Sequence, residues 1–142
     1  MRKAIDQATV GNLNLLAEFA SRSQIEAIVQ GLRGEESAYF IGKVAEYAQR
    51  IRDMPTTDDR EEQHDTAQLH YFAGGADWYI TLKDAGTLDE REQHQAFGWA
   101  RLFPGCGELG YISIVELREN GVELDLHFTP SRLADLPAVK EG

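Results

Sequence analysis

A chain of 142 residues, 42% hydrophobic and 27% charged, is long enough to bury the core of one domain. No stretch of it approaches the ~20 consecutive apolar residues of a membrane-spanning helix. A formal net charge of −10 repels nucleic-acid phosphates, which argues against direct DNA or RNA binding and for a protein partner with a basic surface.

The single cysteine, Cys106, excludes an internal disulfide, and MRKAIDQATV has no apolar run behind its basic residues, so the expected setting is cytoplasmic. The charge is unevenly spread. Residues 1–55 carry 7 Lys+Arg against 7 Asp+Glu, and residues 56–142 carry 7 against 17, so the whole −10 lies in the second part.

Residues 1–11 read as a loose arm. Leu13, Leu15, Leu16 and Phe19 predict a short helix capped by Asn12 or Asn14. Ser23 and Glu26 form a capping box for a second helix, with Ile25, Ile28, Val29 and Leu32 on one face and Gly34 as its stop. A third helix runs from Glu35 to about Asp53. Its stripe is Phe40, Ile41, Val44, Tyr47, Ala48 and Ile51, and its first-turn glutamates and final arginines suit the helix dipole.

Residues 56–66, TTDDREEQHDT, form an acidic connection. Strands are expected at about Gln68 to Phe72, at Trp78 to Lys83 with Trp78, Ile80 and Leu82 on one face, and at Gln95 to Leu102. Gly74-Gly75 makes a hairpin between the first two. A second acidic loop, 84–92, separates the last two, and Phe103-Pro104-Gly105 breaks the third.

From Gly107 to Phe128 the pattern reads as a turn, a short helix and a strand. Ser113 and Glu116 open the helix as a capping box, and Asn120-Gly121 closes it. In the strand, Val122, Leu124, Leu126 and Phe128 alternate with Glu123, Asp125 and His127. Thr129-Pro130 then starts a last short helix through Leu133 and Leu136. The sum is one α+β domain over 1–142. N-terminal helices pack on an antiparallel sheet of about four strands, and short helices lie near the C-terminus.

A tryptophan-bearing strand, an FG pair, ELGYIS followed by EL, and a DLHF segment together resemble the DUF2958 family. The residues that carry the likeness are Trp78, Phe97, Gly98, Glu108, Leu109, Gly110, Tyr111, Ser113, Glu116, Leu117, Asp125, Leu126, His127 and Phe128, over about residues 66–136. Members of that family are small proteins mainly of bacterial plasmids and other mobile elements. The resemblance implies that genetic setting and brings no catalytic residue with it.

His64, His70, His94 and His127 lack the close pairing of metal ligands, so no metal and no cofactor are expected. GCGELG has the letters G-x-G-x-x-G, but no βαβ unit precedes it and Pro104 interrupts its entry. Gly105, Gly107 and Gly110 therefore read as turn glycines. Asp125 and His127, two apart on a strand, project the same way and form the base half of a triad. A nucleophile is missing: Cys106 neighbours Glu108, Ser113 and Ser131 read as helix starts, and there is no G-x-S-x-G.

Tyr71, Phe72, Trp78, Tyr79, Phe97 and Trp99 lie on three successive strands. One set is core against the helices; the other either packs as structure, the favoured reading, or forms an interaction surface. The expected binding residues are Trp78, Tyr79, Trp99, Tyr111, Glu123, Asp125 and His127. The leading expectation is a non-catalytic protein-binding accessory of a mobile element, an acidic inhibitor of host defence or other nucleic-acid-binding machinery. The alternatives are a hydrolase-like enzyme using Asp125 and His127, and an accessory that self-associates through its aromatic sheet face.

Overall fold

A computed structural model describes residues 4–58, 65–86 and 95–141. His64, His94 and most of both acidic loops lie outside the described residues. Helix α1, Gln7–Leu16, starts earlier than its apolar residues predict, inside the expected arm. Asp6 is its cap, and the carboxylate accepts the Thr9 N–H at 2.7 Å. That bond, largest among its influences, holds the Asp6 carboxyl below its usual range. Asn12 and Asn14 fall inside the helix.

Helix α2, Arg22–Leu32, is capped by Ser21 rather than Ser23, with Ser21 Oγ accepting from the Gln24 N–H at 3.3 Å. Helix α3, Ser37–Asp53, follows the predicted stripe and buries Val44, Tyr47, Ala48 and Ile51.

The main sheet is antiparallel, in the order β5-β4-β3-β2-β6. Its strands are β2 (Leu69–Ala73), β3 (Ala76–Leu82), β4 (Gln95–Arg101), β5 (Gly107–Ser113) and β6 (Glu123–Leu124). A two-stranded ladder pairs β1 (Thr66–Ala67) with β7 (Ser131–Arg132). Gly74, at φ 57°, closes a two-residue turn that sets Ala73 opposite Ala76. The predicted alternation of β3 is interrupted by a register shift between Ile80 and Leu82.

Three expectations are corrected. Residues 107–112 form most of a full edge strand instead of a turn. Gly107 is required there by packing, since a Cβ would lie 1.8 Å from the Trp99 ring. Gly98, directly across β3, is equally constrained, because its Cβ would lie 1.9 Å from the Tyr79 carbonyl oxygen.

The strand predicted over 122–128 shrinks to the two residues of β6. Helix α3 explains why. Tyr47 Oη donates to the Asp125 carbonyl at 2.9 Å and accepts the Phe128 N–H at 3.1 Å, while Arg50 Nη1 donates to the Phe128 carbonyl at 2.9 Å. Those bonds bend the chain through Leu126 and His127. Thr129-Pro130 leads into β7 and starts no helix. The last helix, α5 (Pro137–Lys140), has Pro137 in its first turn. Between β5 and β6, α4 (Ile114–Glu119) is capped as predicted, Ser113 Oγ accepting from the Glu116 N–H at 3.2 Å.

The sheet is covered on both faces. Leu69, Tyr71, Ile80, Ala96 and Ile112 pack against Leu16, Phe19, Ile28, Leu32, Val44 and Ile51 of the helical half. On the other face Tyr79 and Trp99 lie under Leu136 and Ala138, with Phe128, Leu133 and Val139 at the margin. The β6 edge is closed by a side chain. Gln24 Nε2 donates to the Leu124 carbonyl at 2.7 Å, and Gln24 Oε1 accepts the Leu124 N–H at 2.9 Å, so one amide imitates a rung of strand pairing.

Candidate functional site

The hairpin register assembles the most polar cluster of the sheet. His70 stands opposite Tyr79 and Phe72 opposite Asp77, all on the face away from the helical half. Asp77 is in turn the cross-strand neighbour of Arg101. The His70 ring stacks on Tyr79 at 4.4 Å with 8° between planes, and Phe128 lies 5.7 Å away.

Its Nε2 is 2.8 Å from Asp77 Oδ1, and its Nδ1 is 3.0 Å from Asp125 Oδ2. The second Asp77 oxygen accepts from Arg101 Nη2 at 2.9 Å, and Arg101 Nη1 reaches Glu141 at 3.3 Å. The bond to Asp77, ahead of the other influences, raises the Arg101 pKa. Burial raises that of Tyr79.

Each ring nitrogen of His70 therefore lies against a carboxylate oxygen, and neither is left facing open space. This limits its chemistry. A general base needs a ring nitrogen whose lone pair faces substrate, and both are occupied. The two carboxylates sit on opposite nitrogens and do not converge on a point where an ion could bind. Among the described residues no group of three or more His, Cys, Asp or Glu is placed to hold a metal.

The expected pairing of Asp125 with the His127 ring is not formed. Asp125 Oδ1 accepts the backbone N–H of His127 at 2.9 Å, and the His127 residue is exposed. The imidazole on Asp125 belongs to His70. Cys106 is exposed, in the turn after Gly105.

The other expected binding residues separate. Trp78 packs half-buried against the helical core. Tyr79 and Trp99 are buried under the C-terminal segment, which removes them from any docking face. Glu123 is exposed on β6. Tyr111 is 70% exposed on β5, beside Leu109 at 60%, and its ring meets that of Phe97 edge-on at 5.4 Å.

Charge is sorted as well. Lys83 Nζ donates to the Ile51 carbonyl at 2.7 Å at the end of α3, and burial lowers its pKa. Arg118 donates to the Ala20 carbonyl at 3.1 Å, and Arg132 pairs with Asp65 at 3.2 Å. Glu108, Glu116, Glu119, Glu123 and Asp135 are exposed.

Sequence reasoning missed His70, Asp77 and Arg101 as a group. The signal was the two-residue turn, which fixes the register and puts residues 70, 72, 77 and 79 on one face. Among the described residues no helix is long and apolar enough to cross a membrane. Comparison with protein-family models, with curated proteins and with solved structures finds no match to this chain.

Proposed function

We propose that the protein is a non-catalytic accessory that binds a partner with a basic surface in the cytoplasm. One observation carries this reading. In the acidic second part of the chain, Lys83, Arg101 and Arg118 are engaged by carbonyls or by Asp77, while Glu108, Glu116, Glu119, Glu123 and Asp135 stand exposed beside only Arg132 and Lys140 among the described residues. The described outward face of that part therefore carries more carboxylates than cations, which favours basic partners and repels phosphates.

The likeness of the motif residues to the DUF2958 family adds the setting of a bacterial mobile element. In that setting the role is to cover the phosphate-binding surface of host nucleic-acid-binding machinery, including defence complexes. Chemistry at Asp125 loses its support, since the carboxylate is engaged by His70 and by the His127 backbone.

The test is affinity capture from bacterial lysate at low and then high salt, using the native chain and a Glu116→Lys/Glu119→Lys/Glu123→Lys variant. A nucleic-acid-binding complex held by the native chain at low salt, released at high salt and not held by the variant is the expected result. Capture that survives high salt, or that the variant retains, overturns the basic-partner reading.

A further inference from the structure

The two edges of the main sheet differ. The β6 edge is closed by the Gln24 amide. Strand β5 has no neighbour on its outer side among the described residues, and it pairs with β4 in unbroken register from Gly107 to Ser113. Soluble proteins ordinarily protect such an edge with lysine, proline, a bulge or an inward charge. GELGYIS has no lysine, proline or bulge, and its one charge is Glu108, exposed and on the same face as Ile112. Instead it turns Leu109 and Tyr111 outward.

Leu102 and Phe103, in the turn just before it, are 63% and 59% exposed. Of the eight large hydrophobic residues exposed among the described residues, these are four, gathered at one edge. Scattered exposure needs no explanation, but a concentration beside an open strand does.

We propose that β5 pairs antiparallel with β5 of a second copy of this chain across a twofold axis at Gly110. The sequence is self-complementary in that register. Leu109 lies opposite the partner's Tyr111, so an aliphatic and an aromatic side chain meet twice on the outward face. Glu108, the one charged residue of the strand, lies opposite the partner's Ile112, so no like charges face each other across the seam. Gly110 meets itself at the axis, where a Cβ would find nothing within 4 Å in the single chain. A foreign strand would fit the same backbone edge, and a second copy supplies both apolar pairs with no facing carboxylates from the one sequence. The result is one continuous sheet of ten strands.

The −10 charge of each copy opposes association, and salt screens that opposition. Self-pairing must therefore strengthen with salt, whereas binding of a basic partner weakens. This opposite sign separates the two proposals, and neither rests on the other.

The experiment is sedimentation equilibrium of the full chain in the micromolar range at low and high salt, beside a Leu109→Lys/Tyr111→Lys variant whose fold is checked by circular dichroism and thermal melting. A native dimer that tightens with salt, and a folded variant whose dimer dissociation constant rises about tenfold or more, are expected.

Gly110→Cys in a Cys106→Ser background reads the register directly. Mild oxidation should link two copies through position 110, and Leu109→Cys in the same background should link far less. A native chain that stays monomeric at both salts, a dimer indifferent to the lysine variant, or efficient linking through position 109 instead of 110 overturns the proposal.

Discussion

His70 holds three separate pieces of chain together: its own strand, Asp77 across the hairpin, and Asp125 in the bend after β6. Its two ring nitrogens each contact one of these carboxylates, and the ring stacks on Tyr79. His70→Phe keeps the stacking and removes both nitrogens, leaving two half-buried carboxylates with a vacant side. We expect a loss of about 1–3 kcal/mol in urea unfolding, from the unmet acceptors and their repulsion.

Tyr71 makes a different kind of bond. Its hydroxyl, fully buried, donates to the Phe19 carbonyl, and burial pushes its pKa well above the ordinary 10.0. The folded chain keeps this proton while the unfolded chain releases it. The stabilising contribution is therefore complete below pH 10 and declines as pH rises beyond it. Tyr71→Phe should be less stable than the native chain at neutral pH, and the gap should narrow above pH 10, measured by urea unfolding across that range.

The strands depend on glycine at points that composition does not reveal. Gly98→Ala drives a methyl group into the Tyr79 carbonyl of the adjacent strand, and backbone on both sides must shift. A loss of about 2–3 kcal/mol in thermal or urea unfolding is expected, larger than the β-propensity change alone would give.

The same elements show where the sequence is legible. The Gly74-Gly75 hairpin, the α3 stripe and the Ser113 cap are local patterns and stand where local rules put them. The start of α1 was missed because the residues after Asp6, QATVGN, show no apolar stripe at helical spacing. Strand β5 was missed because Gly107 and Gly110 resemble turn residues, and its outward-facing Leu109 and Tyr111 break the usual rule of apolar-inward alternation. The strand expected at 122–128 was lost to Tyr47 and Arg50, whose bonds to residues about eighty positions away override the local alternation. His70 was legible as one of a strand's residues, but its partner Asp125 was not, because the bend that delivers it is set by those distant bonds.

At the scale of the molecule, the sheet is a shared wall between two unequal layers. The helical half supplies the larger core, and a C-terminal segment of little more than ten residues covers Tyr79 and Trp99 on the other side. Charge follows the same division, with a balanced helical half and an acidic remainder. The Gln24 amide has a consequence for how far the sheet can grow. A sheet open at both edges adds copies without limit, as fibres do, while a sheet open at one edge stops at two. Gln24→Ala removes the side chain that occupies Leu124 and exposes the second edge. Light scattering of that variant should show species larger than a dimer that increase with salt, while the native chain stays finite. A single glutamine, a hundred residues from the strand it caps, would then decide whether this protein forms a pair or a polymer.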